Sequence, residues 1–182
     1  MAVALLRGIN VGGKNMLPMK ALAEMFAAAG CTDVKTYIQS GNVVFRYGWK
    51  KDVAGIVRAE IEKQFGLKVP VVVRSAAEMV KTLAENPFLD AALDEAWLHV
   101  MFLDDKPTAA MVAGLDADRS KPDEFVVKGR EVYLHLPNGA AKTKLTNAYF
   151  DSKLKTVSTI RNWRTVLKLA QLMAGLRCRN DG

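Results

Sequence analysis

Val34-Lys35-Thr36-Tyr37-Ile38-Gln39-Ser40-Gly41-Asn42-Val43-Val44-Phe45-Arg46-Tyr47 reads as two strand-forming runs, 34–39 and 42–47, joined at Ser40-Gly41. β-branched and aromatic side chains fill both runs and a Ser-Gly pair suits a tight turn, so the stretch predicts an antiparallel hairpin. A hairpin here decides against a parallel nucleotide-binding sheet, whose strands are separated by long crossovers. Toward the N-terminus, residues 2–6 are an apolar run short enough for a buried strand. A helix is expected from Pro18 to Ala29, with Leu22, Met25 and Phe26 on one face and Gly30 as its stop. Toward the C-terminus, Val53, Ile56, Val57, Ile61 and Phe65 recur at helical spacing over 52–65, and 69–74 reads as another strand. The order is β-α-β-β-α-β, the ferredoxin-like pattern of an antiparallel sheet with both helices on one face.

The order then repeats. A linking helix over 76–84 and the Asn86-Pro87 break precede a strand over 97–103 and a short helix over 108–115. A second hairpin, 125–128 and 131–136, turns at Gly129-Arg130; a helix over 147–154 and a short strand over 157–159 follow. A final helix is expected from Arg161 to Ala174, burying Ile160, Trp163, Val166, Leu167, Ala170 and Met173. The expected fold class is α+β, with two ferredoxin-like halves and a C-terminal helix. Its divisions are 1–75, a link over 76–96, 97–160, the helix 161–175 and a mobile tail over 176–182.

Half of the 182 residues are hydrophobic and a quarter are charged, a globular balance that excludes a wholly disordered or fibrous chain. No apolar run approaches the roughly 18 residues that span a membrane, so no membrane is expected and a cytoplasmic protein is. Cys31 and Cys178 lie far apart in the sequence and read as free thiols. The net charge of +7 is uneven: residues 1–75 carry +6, 76–127 carry −7 and 128–182 carry +8. Two basic ends around an acidic middle favour a phosphate-bearing small molecule, a nucleic acid or a second copy of the chain as partner.

Arg7-Gly8-Ile9-Asn10-Val11-Gly12-Gly13-Lys14-Asn15 is the most function-like stretch. Its glycines allow close backbone approach, and Arg7, Asn10, Lys14 and Asn15 bring donors, a combination suited to an anion. Gly8-x-x-x-x-Gly13-Lys14-Asn15 falls one residue short of the phosphate-binding Gly-x-x-x-x-Gly-Lys-Ser/Thr loop, because Asn15 stands where a Mg²⁺-ligating hydroxyl is needed. Pro18 also places the helix start a turn too late, although Val100-Met101-Phe102-Leu103-Asp104 could serve as the acidic strand end of such a site. Nucleotide hydrolysis is therefore the third choice. The third strand bears on RNA recognition: Ser40–Tyr47 keeps Gly41 and Tyr47 of the RNA-stacking pattern but has Asn42 and Val44 where rings are needed.

His99 and His135 are expected on neighbouring strands, sharing a face with Tyr133, but no acid or thiol stands at metal-ligand spacing around them. No nucleophile elbow or marked carboxylate pair suggests an enzyme, and no cofactor is implied. Gly139-Ala140-Ala141-Lys142-Thr143-Lys144-Leu145-Thr146-Asn147 resembles the opening loop in kind, and Arg161, Asn162 and Arg164 are expected in the first turn of the last helix. The candidate ligand-binding set is therefore Arg7, Asn10, Gly12, Gly13, Lys14, Asn15, Gln39, Ser40, Asn42, Lys142, Lys144, Asn147, Arg161 and Asn162, with Arg7, Lys14, Asn42 and Lys144 foremost. An anion-binding protein is the first expectation and an interaction or dimerisation module the second.

The stretches 7–15 and 36–45, with Lys144-Leu145-Thr146-Asn147 and Arg161-Asn162-Trp163, resemble the bacterial family catalogued only as domain of unknown function 1697. The likeness runs from about Ala4 to Met173. It implies a cytoplasmic α+β protein with ferredoxin-like halves and supplies no catalytic residues. Members commonly carry Asn where this chain has Arg164.

Overall fold

The computed structural model describes residues 1–48, 52–89 and 93–177. Cys178 and the expected tail beyond Arg177 lie outside the described residues. The chain forms two compact units, Met1–Val80 with Lys168–Gly182 and Lys81–Leu167.

In the first unit, β1 (Ala2–Leu6), α1 (Met19–Ala28), β2 (Thr32–Tyr37), β3 (Asn42–Arg46), α2 (Val53–Phe65) and β4 (Val71–Ser75) give a sheet of order β2-β3-β1-β4. All neighbours are antiparallel, from Ala2↔Phe45 on one side of β1 to Leu6↔Val71 on the other. Alternate residues Ala2, Ala4, Leu6, Val43 and Phe45 meet Leu22, Met25 and Phe26 of α1 and Val53, Val57 and Ile61 of α2, so both helices cover one face. Phe26 and Phe45 pack with their rings tilted 51° and their centroids 4.9 Å apart. Truncating a ring so enclosed costs about 3 to 5 kcal/mol. Val3, Leu5, Val44 and Val72, of the opposite parity, are buried as well. α3 (Ala76–Ala84) follows β4 directly, started by a reciprocal capping box. Ser75 Oγ accepts from the Glu78 amide, and the Glu78 carboxylate accepts from the Ser75 amide.

The second unit repeats the topology with β5 (Leu98–Leu103), α4 (Ala109–Ala113), β6 (Glu124–Lys128), β7 (Glu131–His135), α5 (Asn147–Leu154) and β8 (Ser158–Asn162), in sheet order β6-β7-β5-β8. Its core joins Met101, Leu103, Val132 and Leu134 to Tyr149, Phe150 and Leu154 of α5. α6 (Trp163–Arg177) closes the described chain.

Three expectations need correction. Arg161 and Asn162 are not in the first turn of the last helix: they extend β8, pairing with Val100 and His99. The helix starts only at Trp163 because Asn162 Oδ1 takes the Thr165 amide as its cap, at 2.8 Å. The last helix also continues past Gly175, and Leu176, expected in a mobile tail, is buried. Finally, the two histidines do not share a face. His99 pairs with Leu134 and shares the parity of the core residues Met101 and Leu103, whereas His135 and Tyr133 pair with Leu98 and Val100 on the other face.

Candidate functional site

The opening loop folds as a second, smaller hairpin. Val11 and Lys14 form an antiparallel bridge closed by the Lys14 amide on the Val11 carbonyl at 3.0 Å, and the Asn10 amide reaches the Asn15 carbonyl at 3.1 Å. Gly12 and Gly13 sit at φ +57° and +74°, the doubly left-handed pair that a two-residue hairpin turn requires. Gly12-Gly13 between Val11 and Lys14 is itself a hairpin signal, and the loop expected to bind an anion takes the form of a finger. α1 begins only at Met19, so its N-terminal amides do not belong to the finger.

The two asparagines that were to supply free donors work inside the finger. Asn10 Nδ2 donates to the Leu17 carbonyl at 2.9 Å and to the Gln39 carbonyl at 3.0 Å, while its Oδ1 accepts from the Leu17 amide at 2.8 Å. Asn15 Nδ2 donates to the Gly8 carbonyl at 2.7 Å. Both residues take left-handed backbone angles, which asparagine tolerates better than most. Asn42 is fully buried and donates to the Tyr37 carbonyl and Ser40 Oγ, so it shapes the β2–β3 turn.

The Asn10–Gln39 bond ties the finger to the β2–β3 turn. Gly41 seals the junction: its carbonyl accepts from the Leu6 amide at 2.8 Å, and a Cβ built on it would stand 2.7 Å from Leu6 Cβ and 2.9 Å from Ile9 Cδ1. The structure therefore brings Arg7, Asn10, Gly12, Gly13, Lys14 and Asn15 together with Gln39, Ser40 and Asn42. Lys14, Lys20 and Lys35 are exposed, Arg7 is half-buried, and no Asp or Glu precedes Glu24 in the sequence.

Sequence reasoning missed the apolar part of this surface. Val11, Met16 and Ile38 are 65%, 63% and 52% exposed. Ile38 also sits at φ +49°, a costly angle for a β-branched residue, of the kind that gathers where loops bind. The strand expected to run to Gln39 ends at Tyr37 and the turn takes four residues, 38–41, in place of the Ser40-Gly41 pair, which puts Ile38 in the turn.

The remaining candidates belong to the second unit. Lys142 and Lys144 are exposed on a loop held by a buried knot. Ser120 Oγ donates to Asp123 Oδ2 at 2.8 Å and accepts from the Lys144 amide at 2.9 Å, and Asp123 Oδ1 accepts from the Asn138 amide at 3.0 Å. Burial raises the Asp123 carboxyl, but hydrogen bonds from Thr143, Asn138 and Ser120 outweigh it and hold the group below the usual carboxylate range. Asn147 Nδ2 donates to Ser158 Oγ at 2.8 Å. Arg161 is buried, donating to Thr159 Oγ1 and the Ile160 carbonyl, and burial pushes its guanidinium down to about 10, still cationic at neutral pH. Arg161 and Asn162 are thus engaged within the fold.

Two antiparallel sheets of equivalent strand order, each with its helix pair on one face, make this a tandem ferredoxin-like α+β protein with a basic finger. The chain belongs to the family described as "Protein of unknown function (DUF1697)", whose sequence model matches residues 1–133. Among solved structures it is similar to that of conserved bacterial protein SP0830 from Streptococcus pneumoniae, with 22% identity over 94% of this chain and 97% of that one and a TM-score of 0.73. That likeness carries the fold. No curated protein matches the chain. Among the described residues, no helix is long and apolar enough to cross a membrane.

Proposed function

We propose that the protein is a binding module whose working surface is the finger with the β2–β3 turn, and that this surface takes a phosphate-bearing ligand. One observation carries the reading: an exposed Gly12-Gly13 tip followed by Lys14, in the stretch 1–23 that has no carboxylate side chain, is held in one shape by the Asn10 and Gly41 contacts. Preorganised donors lose little freedom on binding, so affinity comes from fixed geometry as well as charge. Cationic side chains contribute through release of counterions when the ligand is a polyanion. The test is fluorescence anisotropy of a labelled single-stranded RNA, with a panel of nucleotides as competitors. Arg7→Ala with Lys14→Ala should weaken binding about tenfold, and unchanged affinity across the panel would sink the reading.

A second reading, a protein partner, is favoured by the exposure of Val11 and Met16 on the finger and of Ile38 on the turn bonded to it, since exposed apolar surface can mark protein contacts. The partner closest to hand is a second copy, whose acidic stretch 76–127 would meet the basic finger. Light scattering over a salt series separates the two: association that falls with salt and with Lys14→Glu favours the second copy, and a monomer at every salt concentration removes it.

A further inference from the structure

Strands β2 and β6 hold the same outer place in their sheets, and the two edges are built differently. A free edge offers unpaired N–H and C=O groups to any extended chain, and proteins spoil it with bulges, charge and kinks. β2 is spoiled in this way: its register breaks between Thr32 and Lys35, Asp33 is left-handed at φ +51° and bonded to Arg46 at 2.8 Å, and Lys35 is exposed. Among the described residues β6 has neither bulge nor kink, and its charged residues, Glu124 and Lys128, stand only at its two ends, Lys128 Nζ donating to the Glu85 carbonyl at 2.8 Å. Glu124-Phe125-Val126-Val127-Lys128 pairs with β7 residue for residue, from Glu124↔His135 to Lys128↔Glu131, and among the described residues β7 is its one partner strand.

Beside this regular edge lies a cleft of about 560 Å³, within the range of ligand sites. Phe88 and Phe125 contribute to its apolar lining; Asp118, Lys121, Asp123 and Glu124 are its charged residues. Lys121 lies 2.9 Å from Asp118 and Glu124 lies 3.6 Å from His135 Nδ1, and in the lining three carboxylates, Asp118, Asp123 and Glu124, stand against the one lysine. The cleft sits in the stretch 76–127, which carries −7.

We propose that the β6 edge and its cleft are a docking groove for an extended basic peptide, which adds to the sheet as a fifth strand and seats an apolar side chain against Phe88 and Phe125. Main-chain bonds supply affinity in this mode, while side-chain pockets and charge supply choice. The groove is independent of the finger, so either can fail without the other.

The probe is a fluorescein-labelled Lys-Val-Arg-Val-Lys-Val-Arg peptide, with Glu-Val-Glu-Val-Glu-Val-Glu as its acidic counterpart and two versions N-methylated at alternate residues, one in each register. The basic peptide should bind saturably and slow amide exchange in 124–128. The acidic peptide should fail, and one of the N-methylated versions should lose at least tenfold. Asp118→Lys with Glu124→Lys, both exposed side chains, should weaken the basic peptide roughly tenfold. Equal binding of the basic and acidic peptides, or of the basic peptide and both methylated versions, overturns the proposal. So does self-association of the protein through β6, which would make a second copy the occupant. The peptide arms use the unaltered protein and stand even if the double variant does not fold.

Discussion

Gly41 and Gly129 occupy equivalent turns, the β2–β3 turn of the first unit and the β6–β7 turn of the second, yet they are under different constraint. Gly41 is wedged against Leu6 and Ile9 beneath the finger; a Cβ on Gly129 would meet nothing nearer than Glu131 Oε2 at 3.8 Å. The same contrast runs through the loops that follow the first strand of each unit. After β1 the chain builds the finger before α1, whereas after β5 it turns directly toward α4, with the Asp105 amide bonded to Thr156 Oγ1 at 2.9 Å. One fold thus carries two elaborations: an exposed, tied-down finger in the first unit, and a regular edge beside a cleft in the second.

The largest expected effect tests that difference at the two glycines. Gly41→Ala should cost about 3 kcal/mol or more, because strain at positive φ adds to overlap with two buried side chains, while Gly129→Ala should cost only about 1 kcal/mol. Urea midpoints decide, and equal shifts would remove the claim that the first turn is a load on the finger. Next come the two polar clasps. Asn10→Ala should cost about 2 kcal/mol by orphaning the Leu17 amide and two carbonyls, and Asp123→Ala a similar amount in the second unit. Hydrogen exchange sharpens this comparison: the first substitution should loosen 8–17 and 38–41, the second 120–123 and 138–144.

Helix caps should show what the units share. Ser75→Ala and Asn162→Ala should each cost about 1 kcal/mol, seen as matching falls in thermal midpoint. A strongly unequal pair would contradict equivalence of the β4–α3 and β8–α6 junctions. The smallest effect is a pH dependence. Burial holds His99 below the usual histidine range, so the unfolded chain binds the proton first. Stability is therefore fullest above the ordinary histidine pKa and falls as pH drops through it toward the lowered value. His99→Leu should flatten urea midpoints between pH 7.5 and 5.5. An unchanged slope would place the acid sensitivity elsewhere.

The fold was legible because periodicity and turn chemistry agreed at each step: the Ser40-Gly41 hairpin excluded a parallel sheet, and the amphipathic spacing over 53–65 placed α2. The last junction was not, because Arg161 and Asn162 are polar residues in a strand whose exposure depends on tertiary packing. Asn162 as a cap looks the same in sequence as a first-turn residue. At the candidate site, the glycines marked the loop between β1 and α1, but the destination of an asparagine side chain is set by backbone carbonyls that sequence does not position. Asn10 and Asn42 are therefore clasps. The exposure of Val11, Met16 and Ile38 was hidden because apolar residues are expected inside.

We propose that a phosphate-bearing ligand is taken by the finger and not by the Lys142–Lys144 loop. The salt dependence of binding to a labelled single-stranded RNA tests it, since each phosphate contact contributes about 0.7 to the slope of log K against log salt. Arg7→Ala with Lys14→Ala should lower that slope by roughly 1.4, and Lys142→Ala with Lys144→Ala should leave it unchanged. A slope lowered by the second pair and untouched by the first would contradict the account.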